Sequence, residues 1–205
     1  MKKINILVTG VAGFIGSSFV NKLNLKFYNI YAIDDFSSSD RSQLPKKKIN
    51  FFKKDLSIGL PKKLYEKEVI IDYIYHFAGQ SSGELSFKDP KLDLEKNTIS
   101  TLNLIKFSIE KKIKTFFYMS SMSVYGNTNK ANEKSELKPN TCYGVSKLSS
   151  EYYLKVFEKE LNYVIFRLFN IYGPGQNLNN LYQGMIRIYL TQLIRSDKLN
   201  IKGRD

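Results

Sequence analysis

The sequence predicts an α/β protein: a Rossmann-like, doubly wound parallel sheet with helices on both faces. Three observations predict it. Short apolar runs alternate with helix-patterned segments along the 205 residues. The first run, Ile4-Asn5-Ile6-Leu7-Val8, passes directly into TGVAGFIGSSF, with glycines at 10, 13 and 16. The second run, NIYAID, closes on an acid, Asp34.

In chain order, INILVTG (4–10) reads as a strand and FIGSSFVNKL (14–23) as a helix. NIYAID (29–34) is a strand, INFFKKD (49–55) a short strand, and PKKLYEKE (61–68) a helix. IDYIYHFAG (71–79) is a strand ending in glycine. Asp89-Pro90 starts a helix, an acidic cap followed by proline in the first turn, that runs to about residue 111. KTFFYMSS (114–121) is a strand, and 142–160 a helix with apolar or aromatic residues at 145, 148, 152, 153 and 156. NYVIFRLF (162–169) is a strand, 179–196 a helix, and LNIKG (199–203) the start of another strand.

Composition narrows the function. Hydrophobic residues make up 42% of the chain, enough for a sizeable core, and no apolar run is long enough to cross a membrane. The two N-terminal lysines and short apolar stretch are too brief for a signal peptide, so a cytoplasmic location is expected. A single cysteine, Cys142, excludes an intrachain disulfide, and with one histidine, His76, no metal site is expected. The net charge of +13 raises nucleic-acid binding, but the lysines are scattered and lack an arginine/aromatic repeat. A positive field equally favours an anionic small substrate.

Glycine destabilises a helix by about 1 kcal/mol relative to alanine, so three at a strand-to-helix turn need a reason. In a doubly wound sheet this turn lies at the carboxyl edge, where ligands bind. The first glycine permits the tight turn, the second lets a pyrophosphate approach the backbone, and the third lets helix and strand pack closely. Free N–H groups and the helix dipole then face the phosphates. Asp34 lies 24 residues after Gly10, placed to accept from the ribose hydroxyls and to repel a 2′-phosphate, favouring NAD over NADP. Asp35 is a neighbouring candidate. Asp55-Leu56, after the third strand, sits where an adenine would be flanked.

Tyr143-Gly144-Val145-Ser146-Lys147 places a tyrosine and a lysine at i and i+4, on one helical face. A nearby ammonium lowers the phenol pKa from its ordinary value of about 10, which would let Tyr143 exchange a proton with a substrate oxygen. Such a pair arises by chance in a chain with 14 tyrosines. Ser120-Ser121-Met122-Ser123-Val124-Tyr125-Gly126 supplies a partner at the same sheet edge, where a serine hydroxyl could orient the reacting oxygen.

Together TGVAGFIG, Asp34-Asp35, Asp55-Leu56, HFAGQSS, SSMSVYG, YGVSK and RLFNIYGPGQ resemble the extended short-chain dehydrogenase/reductase family, particularly its NAD-dependent nucleotide-sugar epimerases and dehydratases. The resemblance runs from residue 3 to about 176. It implies that Gly10, Gly13 and Gly16, with the backbone of Phe14 and Ile15, hold the pyrophosphate. Asp34 would hold the ribose, Asp55 and Leu56 the adenine edge, and Phe77, Ala78 and Gly79 would line the cofactor. Ser121 matches the active-site Ser/Thr, Tyr143 the base, and Lys147 the lysine that tunes it and binds the nicotinamide ribose. Asn170 matches a substrate-binding asparagine, and Asn97 resembles one near the active site of the wider family or equally reads as a plain helix-surface residue.

The resemblance also implies a reaction. Family dehydratases carry Asp-Glu after the active-site Ser/Thr, and decarboxylases a Glu. This chain has Met122-Ser123, which favours 4-epimerisation of a nucleotide sugar, as in UDP-glucose 4-epimerase-like members, over water elimination. Helices matching 90–111 and 142–158 pair in family homodimers. The family pattern continues past Asp205. The expectation is therefore a cofactor domain over 1–176 and an incomplete substrate-binding portion from 177 to 205.

Overall fold

The computed structural model describes residues 2–128, 130–176, 185–196 and 199. Six strands, β1 (Ile4–Thr9), β2 (Tyr28–Asp34), β3 (Asn50–Lys53), β4 (Tyr73–His76), β5 (Thr115–Ser121) and β6 (Tyr163–Leu168), form one sheet in the order β3-β2-β1-β4-β5-β6. All five pairings are parallel. The strand order reverses direction between β1 and β4, where a doubly wound sheet opens its ligand crevice.

The alternation of side chains sorts the apolar strand residues onto two faces. Ile6, Val8, Ile30 and Ala32 join Val11 and Val20 beneath the helix α1 (Phe14–Lys22). Leu7, Ile33, Ile74, Phe116 and Tyr118 join Leu104, Ile105, Phe107 and Leu154 on the other face. The latter four belong to α4 (Ser100–Glu110) and α5 (Cys142–Val156). Burying both faces explains why β1 reads as nearly continuous apolar sequence.

Before α4 the chain forms α2 (Gly83–Lys88) and α3 (Pro90–Leu94), then a π-helical turn, Glu95–Ile99, that runs into α4. The expected helix from Asp89 to about 111 is therefore present but widened in its second turn. Asp89 caps it, accepting from the Leu92 N–H at 2.9 Å. α2 was not expected; its signal was Ser82, whose hydroxyl accepts from the Leu85 N–H at 3.2 Å.

Other boundaries differ from expectation. Segment 61–68 forms only a 3₁₀ turn, Lys62–Tyr65, which seats Leu64 in the core. α5 stops at Val156 rather than 160, because the chain must turn to bury Leu161. β4 ends at His76, and Phe77–Gly79 leave the sheet at its carboxyl edge. The helix expected over 179–196 is described from Met185 to Ser196 as α6, and residues 200–203 of the expected last strand lie outside the described residues. Among the described residues, no helix is long and apolar enough to cross a membrane.

Candidate active site

At the carboxyl edge lies a cleft of about 530 Å³. The glycine turn, Gly10–Gly16, forms one wall. Gly10 has φ +69, and a Cβ there would meet the Ala78 nitrogen at 2.5 Å. A Cβ on Gly16 would run into the carbonyl of Gly10, so α1 can sit against the turn only without it. A Cβ on Gly13 would meet only the Gly10 carbonyl, at 3.2 Å, and Gly13 lines the cleft with Phe14 and Ile15. The three glycines thus serve turn, open approach and packing, in that order. A bare backbone at a helix start, open to the cleft, fits a pyrophosphate.

Asp34, Asp35, Asp55, Leu56, Phe77, Ala78 and Gly79 line the same cleft. Asp34 is already occupied by its own chain. One carboxylate oxygen accepts the Ala12 N–H at 2.9 Å, and the other the Phe36 N–H at 2.9 Å and the Ser39 hydroxyl at 3.3 Å. It braces the glycine turn against β2 as well as facing the crevice. Asp35 and Asp55 do not stand free either. Lys96, from the π turn, donates to Asp35 at 2.6 Å and to Asp55 at 2.8 Å. Sequence reading missed Lys96, since nothing at 96 signals the ends of β2 and β3.

Ser121, Tyr143, Lys147 and Asn170 gather at the other end of the cleft, beyond β5 and β6. Thr141 caps α5, its hydroxyl accepting the Gly144 N–H at 2.9 Å, so Tyr143 and Lys147 share the first turns. Ser121 starts a 3₁₀ turn, Met122–Tyr125, and accepts the Ser123 N–H at 3.2 Å. Gly144 joins the two pieces, because a Cβ on it would lie 2.6 Å from the Ser123 carbonyl. Its absence lets α5 rest on the serine turn.

The electrostatics correct one expectation. Burial pushes the Tyr143 phenol above its ordinary value; the Ser121 hydroxyl opposes the rise and the Asp93 carboxylate adds to it. Lys147 does not reverse the shift: its ammonium donates to the Met119 carbonyl at 2.9 Å and lies 5.9 Å from the centre of the Tyr143 ring. Burial draws Lys147 itself down to about 8, against the opposing pull of Asp93 and Glu151.

Behind these residues is a polar network that the motifs did not reveal. Asp93 is buried and accepts from Gln80 at 2.7 Å, from Asn97 at 3.0 Å and from Ser146 at 2.6 Å. Its spacing of four from Asn97 was the available signal. Asn97 is buried rather than lining the cleft, and its side-chain oxygen has no hydrogen-bond partner. A Cβ on Gly79 would collide with that oxygen, at 2.5 Å. Among the described residues, no group of three or more His, Cys, Asp or Glu could hold a metal ion.

The cleft's contents agree with what the chain is similar to. Residues 6–204 match the NAD dependent epimerase/dehydratase family. The chain belongs to that family. It is 32% identical over 203 residues to an uncharacterized UDP-glucose epimerase of Bacillus subtilis (strain 168), covering 92% of this chain and 63% of that protein. It is 33% identical over 221 residues to a dTDP-D-glucose 4,6-dehydratase of Dictyostelium discoideum, covering 97% of this chain and 50% of that one. In structure it superposes with TM-score 0.89 and 31% identity on the UDP-N-acetylglucosamine 4-epimerase of Methanobrevibacter ruminantium M1, solved with UDP-N-acetylmuramic acid. That match covers 100% of this chain and 67% of the other. The chain thus spans between half and two thirds of the length of these relatives.

Proposed function

We propose that the protein is an NAD-dependent nucleotide-sugar 4-epimerase whose cofactor half is residues 1–176, with the substrate-binding portion beginning at 177. Overall identity does not choose the reaction, since an epimerase and a dehydratase match almost equally. The observation that carries the choice is where the acids lie. Among the described residues lining the cleft, the carboxylates are Asp34, which closes β2, Asp35 just after it, and Asp55 after β3. Beside Ser121 stand Met122 and Ser123. Water elimination in the family's dehydratases uses carboxyl groups at the sugar as acid and base; among the described residues, this end of the cleft supplies a phenol, hydroxyls and the Lys147 ammonium and no carboxylate.

NAD, when bound, supplies the hydride acceptor and donor. The protein does the rest. The glycine turn presents backbone N–H groups, and Asp34 faces the ribose end. Ser121 orients the sugar C4 oxygen. Tyr143, as the phenolate, takes the C4 hydroxyl proton and later returns it, and Lys147, anchored on the Met119 carbonyl, keeps its ammonium 5.9 Å from the centre of the Tyr143 ring. Asn170 steadies the sugar nucleotide. With hydride returned to the opposite face of the turned-over 4-keto sugar, Tyr143 gives the proton back to the C4 oxygen, which yields the C4 isomer.

A homodimer through helices 90–111 and 142–158 is part of this reading. Tyr152, Tyr153 and Val156 on α5, with Leu92 and Leu94 on α3, are exposed apolar surface that a partner would cover. Nucleic acid has no place in it.

The test is product analysis by NMR with UDP-glucose, UDP-N-acetylglucosamine and dTDP-glucose in the presence of NAD. An isomer with no accumulated NADH supports epimerisation. A 4-keto-6-deoxy product would overturn it in favour of a dehydratase.

A further inference from the structure

We infer that Lys96 is a positioning residue for the adenosine half of the cofactor, acting by neutralising two carboxylates that flank it. The inference rests on the reading of the cleft as a dinucleotide site.

Three observations carry it. Lys96 comes from the π turn Glu95–Ile99, while Asp35 follows β2 and Asp55 follows β3, so one ammonium ties three separate elements. Lys96, Asp35 and Asp55 all line the cleft. Their side chains are 19%, 23% and 28% exposed, sheltered enough that solvent does not fully screen them.

The two acids are also prepared as anions. Asp35 accepts the Ser37 N–H at 2.8 Å, and Asp55 accepts the Ser57 N–H and hydroxyl at 2.9 and 2.7 Å. Burial opposes ionisation of all three, but the hydrogen bonds between Lys96 and the two acids, with those from Ser37 and Ser57 and the mutual charge attraction, together leave the acids lowered and Lys96 raised. Without Lys96 the adenosine end would hold two uncompensated carboxylates beside Asp34, facing an anionic ligand. With it, the pair carries one net negative charge. The clamp also joins the segments that follow β2 and β3, whose ends the sheet already pairs at Asp34 and Lys53. The wider π turn points Lys96 toward the cleft while its neighbour Asn97 is buried beside Ser146.

The experiment is calorimetric titration of NAD, and separately of ADP, into the wild-type chain, Lys96→Met, Asp35→Asn and the double variant, at low and high salt. Thermal midpoints are measured without ligand. Lys96→Met should weaken NAD and ADP by the same factor, at least tenfold. Adding Asp35→Asn should restore most of the loss. The affinity of Lys96→Met should rise with salt, as screening relieves repulsion. A Lys96→Met chain with a lowered midpoint but NAD and ADP affinities within about twofold of wild type would overturn the inference, leaving a brace only. A wild-type chain that binds neither ligand would instead overturn the dinucleotide reading, and this inference with it.

Discussion

The Lys147 ammonium donates to the main-chain carbonyl of Met119 over 2.9 Å, not to the Tyr143 phenol. β5 therefore holds the lysine of the Tyr-x-x-x-Lys pair in place from below. Burial lowers its pKa to about 8, from an ordinary 10.5. Between those values the unfolded chain keeps a proton that the folded chain has released. Stability from this group therefore rises with pH from about 8 to 10.5, and below 8 it costs about 3 kcal/mol. Lys147→Met should be the more stable protein near neutrality, by a margin that closes across that window. Urea unfolding of both proteins checks this; a margin independent of pH would show that the lysine is not held by burial.

Gly144 touches the carbonyl of Ser123, and a Cβ there would sit at 2.6 Å. Gly144→Ala normally favours a helix by about 1 kcal/mol. Here it should push α5 off the serine turn and part Tyr143 from Ser121. The expected result is a drop in turnover of tenfold or more with a smaller loss of NAD affinity, since α5 carries Lys147 while the glycine turn and Asp34 are not involved. Equal loss of both would point to general unfolding.

Tyr143→Phe removes the hydroxyl proposed to exchange the proton, together with its contact to Ser121. Turnover should fall by about 10²–10⁴-fold, the usual worth of a positioned acid or base. Because burial raises the phenol, residual wild-type activity should climb with pH on the acid side, and the Phe variant should lose that limb. Undiminished activity would reject the assignment.

The legible parts of this chain were those fixed by local chemistry. Ile6, Leu7 and Val8 announce a strand buried on both faces, and Asp89-Pro90 announces a helix start, because neither depends on distant residues. All of the motif residues assigned to the cleft do line it, from Gly10 to Asn170. What was not legible depends on contacts across the sheet. Lys96 meets Asp35 and Asp55 from 61 and 41 positions away. Asp93 meets Ser146 from 53 away. The Tyr143 expectation failed for the same reason: i,i+4 spacing brings a lysine near, but the competing Met119 carbonyl belongs to another element. The end of α5 was misjudged because helix propensity over 157–160 yields to the burial of Leu161.

His76 stands where the crevice opens, bridging Thr9 on β1 at 2.7 Å and Thr101 on α4 at 3.0 Å. It is buried, and desolvation, helped by the charge of Lys147, lowers its pKa to about 3. The folded imidazole is thus neutral where an unfolded one, with an ordinary value of 6.5, takes a proton. The unfolded state binds more protons throughout that interval, so stability falls as the pH drops from about 6.5 toward 3. By pH 4 the loss from this residue alone is about 3 kcal/mol. The salt-bridged acids Asp35, Asp55 and Asp72, whose values are lowered, add their losses below their ordinary value of 3.8, while buried Asp93, whose value is raised, offsets part of the histidine's loss above it, so a His76 variant is needed to separate the two. His76→Gln should be less stable than wild type at pH 7, where it forfeits a two-sided bridge, yet lose far less between about pH 6.5 and 4. Parallel pH profiles for the two proteins would mean that the imidazole is already charged or solvated in the fold.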